Sequence, residues 1–305
     1  MQVNVAGVER LRFTDGSAVR AASAVARLGE GFLVAQDDAT HAAWVTGGAA
    51  TAVRVLPAVA GLDVFDEATG TKHLKPDLEA ACPVRVAGEP AILLLGSGST
   101  PARMRSSVVR LVGGQPSITV ADLSLVYAAV AQALGVHPDV LNMEGACIIG
   151  DTFRWFHRGL PSAGLPSASV DLEVAGLLAA VLGDREAATV QVGHPRTYDL
   201  GDVDGVGLAV TDAVALSGDR LLVSAAAEDT PNPRDDGPVV GSALVRLDGH
   251  EVVDVTRLPE VDGAVCKVEG LMVLEADQVR AELLAVVDVD DPDIPSLAVR
   301  LDVQW

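Results

Sequence analysis

At 305 residues, with 49% hydrophobic side chains, the chain has the material for one large core and is not a disordered segment. Its 42 acidic against 22 basic residues leave a formal charge of −20, which repels phosphate backbones and anionic lipid surfaces. Nucleic acid and membrane are thereby excluded as partners, and a small-molecule ligand or a cation is expected instead.

No apolar run approaches the roughly 18 residues of a membrane span. Met1 to Phe13 sets Glu9, Arg10 and Arg12 among its apolar residues, so an export signal is not expected. Cys82, Cys147 and Cys266 are odd in number and form no Cys-x-x-Cys pair, which fits small apolar side chains in a reducing cytoplasm. A cytoplasmic monomer is the expectation.

Along the chain, Gln2 to Phe13 alternates loosely and ends at the turn Asp15-Gly16, predicting one strand. Five short stretches then recur, each a polar residue followed by a small one and an apolar run: Ser23-Ala24-Val25, Glu79-Ala80-Ala81, Glu144-Gly145-Ala146, Asp212-Ala213-Val214 and Glu269-Gly270-Leu271. Their spacing of about 60 residues, with strand-like content between, predicts an all-β fold: a five-bladed β-propeller in one domain spanning residues 1–305. Blade one runs through residues 32–35, 43–45 and 52–55. Blade two runs through 91–95, 108–111 and 118–120. Leu123 to Leu134 spaces its apolar residues helically, with Asp122 to cap it and Gly135 to stop it, so a short helical insertion is expected around 122–135. Blade three takes 153–156 and 169–172, a second apolar insertion at 175–182, and a last strand at 188–192. Blade four takes 221–224, 243–247 and 252–255, and blade five 283–287 and 298–303. Blade five lacks an outer strand, a vacancy the N-terminal strand is expected to fill so that the ring closes. A sixth blade hidden within 160–210 is the alternative.

The segments Lys75-Pro76-Asp77-Leu78-Glu79-Ala80, Leu141-Asn142-Met143-Glu144-Gly145-Ala146 and Lys267-Val268-Glu269-Gly270-Leu271 resemble the Glu-Gly blade starts of bacterial phytase-like and SdiA-regulated-type propellers and their uncharacterised relatives. That resemblance implies the propeller fold over nearly the whole chain. It also implies a range of activities, since such groups include calcium-dependent phosphatases, lactonases and binding proteins.

In a propeller, the start of each first strand and the end of each second strand open on one mouth. That geometry gathers Lys75, Asp77, Glu79, Asn142, Glu144, Asp212, Lys267 and Glu269, with Asp37, Asp38, Ser97, Arg103, Arg105, Arg158, Glu228, Asp288, Asp290 and Asp291 behind them. Four carboxylates crowded into one mouth must be neutralised. One solution is an oxygen-liganded Ca²⁺ or other divalent cation on Glu79, Glu144, Asp212 and Glu269; another is pairing with Lys75 and Lys267. A third account has the glutamates stitch neighbouring blades through backbone amides.

The leading expectation is a hydrolase of small phosphate or carboxylic esters, with Glu144, Glu79, Lys267, Lys75 and His157 in catalytic roles and Arg103, Arg158, Asn142 and Ser97 binding the substrate. A non-catalytic binding propeller and a metal-independent lyase or isomerase are the alternatives. Asp202 to Gly205 and Asp288 to Asp293 read as solvated turns, because neither has the 12-residue spacing of a calcium loop.

Overall fold

A computed structural model describes residues 1–230, 232, 237–289, 291 and 294–305. Asp290 and Asp293 of the acidic turn, and most of the segment between Thr230 and Gly237, lie outside the described residues.

Five antiparallel sheets form the structure. Blade one contains β2 (Ala22–Leu28), β3 (Gly31–Gln36), β4 (His41–Thr46) and β5 (Ala49–Arg54). Blade two contains β6 (Leu78–Val86), β7 (Glu89–Gly96), β8 (Arg105–Val112) and β9 (Gln115–Asp122). The helix α1 (Ser124–Leu134) leads to blade three, with β10 (Met143–Ile149), β11 (Thr152–His157), β12 (Ser167–Glu173), a second helix α2 (Val174–Leu182) and β13 (Val192–Tyr198). Blade four adds a two-residue strand, β14 (Asp202–Val203), to β15 (Val206–Ala215), β16 (Arg220–Glu228), β17 (Val239–Asp248) and β18 (Glu251–Arg257). Blade five has β19 (Lys267–Ala276), β20 (Arg280–Asp288) and β21 (Leu297–Gln304), completed by β1 (Gln2–Arg10). The first strand thus pairs antiparallel with the last, Gln2 opposite Gln304 and Arg10 opposite Leu297, and removes the open edge that an unclosed ring would expose.

Inner strands touch in the order β2, β6, β10, β15, β19 and back to β2, so the ring holds five blades and the 160–210 region forms no sixth. Apolar side chains collect at each junction. Leu33, Leu94 and Val109 lie between blades one and two; Leu93, Phe153 and Trp155 between two and three; Phe156, Tyr198 and Val223 between three and four. Burial between sheets, at about 25 cal/mol per Å² of apolar surface, is the force that stacks them. Both helices pack into the junction of blades two and three: Val126, Tyr127 and Val130 from α1, Leu177 and Val181 from α2. Gly135, at φ +69°, ends α1 as predicted, while Asp122 accepts the Ser124 amide proton at 2.8 Å, with Leu123 in the cap position.

One predicted strand moves. Residues 188–192 were expected to close blade three, but Ala187–Thr189 form a turn and β13 begins at Val192. Val190 is drawn into the cluster under the helices, and the outer strand falls instead on Val-Gly-His-Pro-Arg-Thr-Tyr, whose Gly and Pro conceal it. An edge strand tolerates that proline because its missing N–H would face outward.

Candidate functional site in the central mouth

Each inner strand carries one extra residue relative to its partner. Ala22 pairs with Gln36 and Ala24 with Ala35, leaving Ser23 over. The same step leaves out Glu79 in β6, Glu144-Gly145 against one partner residue in β10, Thr211 in β15 and Glu269 in β19. A bulge re-aims a side chain out of the sheet's alternation. Here it turns Ser23, Glu79, Glu144 and Glu269 into the wall of a cavity of about 700 Å³. The small residue that follows lets blades close up: a Cβ on Gly145 would lie 2.3 Å from Asp212 Cα, and one on Gly270 2.8 Å from Ala24 Cα. The Glu-Gly signature therefore divides its labour, with carboxylates for the cavity and glycines for the close approach of neighbouring strands.

Blade four corrects the repeat. Its bulge residue is Thr211, and Asp212 occupies the position held by Ala or Gly elsewhere. Asp212 is 2% exposed, does not line the cavity, and accepts the Leu271 amide proton at 2.6 Å. Burial pushes its carboxyl well above the usual range, against the pull of the Leu271, Ala213 and Ala146 amides. Asp212 thus binds blade four to its neighbours on both sides, and a cation shared by Glu79, Glu144, Asp212 and Glu269 lacks its fourth ligand in the mouth. The hydroxyls of Ser23 and Thr211 act similarly, donating to the carbonyls of Leu78 and Val268 on the next blade.

Around the bulges, two further sets of positions complete the site: the residue two before the bulge and residues at or just past the end of the second strand. On the side of blades one and two, Asp77 is the hub. Lys75 Nζ bonds Asp37 and lies 2.7 Å from Asp77 Oδ1; Arg103 Nη1 reaches Asp77 Oδ2 at 2.8 Å and Ser99 Oγ at 2.9 Å; Ser97 donates its hydroxyl proton to Asp77. Burial works to raise Asp77, but Lys75, Arg103 and Ser97 outweigh it and hold the carboxyl below its ordinary value. Burial likewise works to depress Lys75, and Asp37, Asp77 and Glu79 more than offset it. Asp77 sits at φ +56°, a left-handed conformation that costs a non-glycine residue about 1–3 kcal/mol and is retained where the surroundings hold it.

The side formed by blades three to five spreads its charge. Arg158 bonds Glu228 and lies 3.6 Å from Glu144; Lys267 Nζ lies 3.2 Å from Glu228 and 2.9 Å from Glu269; Asn142 donates to Glu144 at 2.7 Å. Glu228 also accepts the Gly237 amide proton at 2.7 Å. Burial acts to raise it, and the two cations and that amide bring it below the ordinary value. Glu144 is pushed up to about 8 by burial, only partly relieved by Arg158 and with Glu269 adding to the rise. Oε2 of Glu269, a residue 8% exposed, has no hydrogen-bond partner among the described residues.

Glu79 lies on the seam between these networks. Among the described residues no cation forms an ion pair with its carboxyl, and one of its oxygens lies within 4.8 Å of oxygens of both Asp37 and Asp77. Burial, then the charges of Glu144, Asp77 and Asp37, push it well above the glutamate range, and Lys75 opposes this without reversing it. Such surroundings favour the protonated carboxyl over the carboxylate.

The structure brings together Lys75, Glu79, Arg103, Asn142, Glu144, Arg158, Lys267 and Glu269 in the cavity wall. Ser97 stands behind it, fully buried under Asp77. His157 is set apart. Its ring is buried, with Nε2 3.1 Å from the Val140 carbonyl oxygen, and burial lowers its basicity. Thr211 and the linking role of Glu228 were not singled out from sequence; a Thr in the middle of a strand carries no charge signal.

Residues 71–292 match the model of a family described as "Family of unknown function (DUF6910)". The chain belongs to the DUF6910 family. No curated protein matches this DUF6910 chain. Among solved structures, it is similar to an exo-1,5-α-L-arabinanase from a bovine ruminal metagenomic library, with 9% identity, 93% of this chain and 92% of the other covered, and a TM-score of 0.50. It is also similar to a GH43 endo-arabinanase from Bacillus licheniformis, at 10% identity, 97% coverage of both chains and a TM-score of 0.46. A third is the Pan2 WD40 domain of Neurospora crassa, at 9% identity, 99% and 97% coverage and a TM-score of 0.40. At such identities the likeness is one of fold alone. What the DUF6910 chain shares with the phytase-like group that its Glu-Gly starts resemble is the bladed ring.

Proposed function

We propose that this protein is a hydrolase acting on a glycosidic bond of a small polar saccharide in the central mouth, with Glu79 as proton donor. The observation that carries this is the placement of Glu79: a bulge aims it into the cavity, no cation among the described residues forms an ion pair with it, and burial together with the surrounding carboxylates raises its proton affinity. Cleavage of a glycoside needs one carboxylic acid to protonate the leaving oxygen and a second carboxylate to activate water or attack. Glu79 gives its proton to that oxygen as the bond to the anomeric carbon breaks. Glu269, which also lines the cavity, takes a proton from the water that bonds to the same carbon, so that one water is consumed and two hydroxyl-bearing products leave.

The wall's cations favour a neutral ligand. Arg20, Lys75, Arg103, Arg158 and Lys267 are each ion-paired to a carboxylate, so an anionic ester would have to break those pairs. That the similar arabinanase acts on a saccharide agrees with this reading without deciding it.

A second reading, the hydrolysis of an anionic phosphate or carboxylic ester with a divalent cation, draws support from the oxygens of Asp37, Asp77 and Glu79 within 4.8 Å of one another. Lys75 already lies on two of the three, and a cation must displace it.

The test is a turnover panel of aryl glycosides, arabino-, xylo- and manno-oligosaccharides, and phosphate and carboxylic esters, with wild type and Glu79→Gln and with and without chelator. Cleavage of a saccharide that is insensitive to chelator and lost in Glu79→Gln supports the proposal. Chelator-sensitive cleavage of an ester alone replaces it with the second reading, and no turnover by wild type refutes both.

A further inference from the structure

The position two residues before each bulge carries Ala21, Asp77, Asn142, Ala209 and Lys267 in blades one to five. In three blades it places a polar side chain in the wall, and in blades one and four it is alanine. The mouth widens at both alanines. At blade four a side cavity of about 260 Å³ opens against Ala209, and it shares Arg158, Gly159, Leu160 and Thr230 with the central cavity. At blade one the central cavity extends past Ala21 and Ala22 to the segment 65–69.

Ring order fixes what lies between. Blades one and four are separated by blades two and three on one side and by blade five on the other. A path from one alanine to the other therefore runs between Glu79 and Glu144 on its first flank and Glu269 on its second. The side cavity alternates polar and apolar surface, with Ser162, Asp202 and Asp229 beside Pro161 and Val206. Hydroxyl groups and C–H faces of a sugar ring call for that mixture.

We infer that the mouth takes an extended saccharide of at least two units, one in the central cavity and the next in the side cavity over Ala209. This rests on the glycosidic reading above and adds the direction in which the chain lies. Units beyond the first gain affinity only if the side cavity is open.

Binding by the full chain carrying Glu79→Gln, measured by calorimetry, tests it with L-arabinose, D-xylose and D-mannose and their di- and trisaccharides as probes. For the series that binds, the disaccharide is expected to bind at least roughly 10-fold more tightly than the monosaccharide, a gain of about 1.4 kcal/mol. Ser162 is exposed and lines the side cavity, so Ser162→Trp fills that space from outside the core and is expected to erase the gain. Ala209→Met, which fills the same space from the strand, checks the result independently. A disaccharide that binds no better than its monosaccharide, or a gain that survives Ser162→Trp, overturns this inference and leaves the glycosidic reading standing. Failure of every saccharide to bind overturns both.

Discussion

The two sides of the mouth use the same ingredients differently. On the side of blades one and two, Asp77 takes two cations and a hydroxyl and is saturated by them, with Lys75 also held by Asp37. On the side of blades three to five, two cations are distributed over Glu144, Glu228 and Glu269, so each cation has a second carboxylate within reach. The first arrangement is a rigid wall. The second has spare capacity: a glutamate pushed up to about 8 and a carboxylate oxygen without a partner. Glu79 shares no ion pair with either network among the described residues, so under the proposed role its proton could leave without breaking one.

If Glu79 is the donor on that seam, Glu79→Gln lowers turnover of the cleaved saccharide by about 10²–10⁴-fold, the usual contribution of a general acid, while its melting temperature stays at or above that of wild type. A comparable loss of folding would place Glu79 in the wall instead.

The contrast between the sides is sharpest in their hubs. Asp77→Asn strips Arg103 of its carboxylate and leaves Lys75 with Asp37, so a loss of about 3–5 kcal/mol in denaturant unfolding is expected. Glu228→Gln leaves Arg158 to Glu144 and Lys267 to Glu269, and a smaller loss, about 1–3 kcal/mol, is expected. Equal losses would erase the distinction between wall and reserve.

Strand approach differs too, because the residue after the bulge is alanine in blades one and two and glycine in blades three and five. Gly145→Ala, against Asp212 Cα, is expected to cost about 1–3 kcal/mol by overpacking. Unchanged unfolding would mean that the blades have room to separate.

The smallest effect is in pH. Burial pushes the Glu144 carboxyl up to about 8 in the folded protein, against roughly 4.3 for an exposed glutamate. Between those values the native state holds more protons than the unfolded one, so stability falls as pH rises through that window. Glu144→Gln should flatten that part of the profile, as measured by melting temperature from pH 5 to 9. Glu228→Gln, which frees Arg158 for Glu144, should shift the fall to lower pH.

Much of this was legible in the chain. The five-fold recurrence shows because bulge and close approach impose the same two residue types on nearly every inner strand, and ring closure follows from the missing outer strand of blade five. Asp212 misleads for a physical reason: it places an acid one residue after Thr211, so composition imitates the motif while the pairing register assigns the bulge to the threonine. His157 ends a second strand as the mouth residues do, but a side chain's direction there depends on the backbone of residues 138–140 packed against it, which spacing does not reveal. Ion pairs such as Lys75 with Asp37 join different blades, and only the assembled ring shows which cation meets which carboxylate.

The protonation of Glu79 is the most direct test. Carbon-detected NMR of the side-chain carboxyls in the full-length protein, with the Glu79 signal assigned by its loss in Glu79→Gln, reads that state without any substrate. The signal should be that of a protonated carboxyl at pH 7, with no titration step near the ordinary glutamate value. A Glu79 carboxyl that ionises near pH 4.5 would contradict the assignment of this residue as the acid.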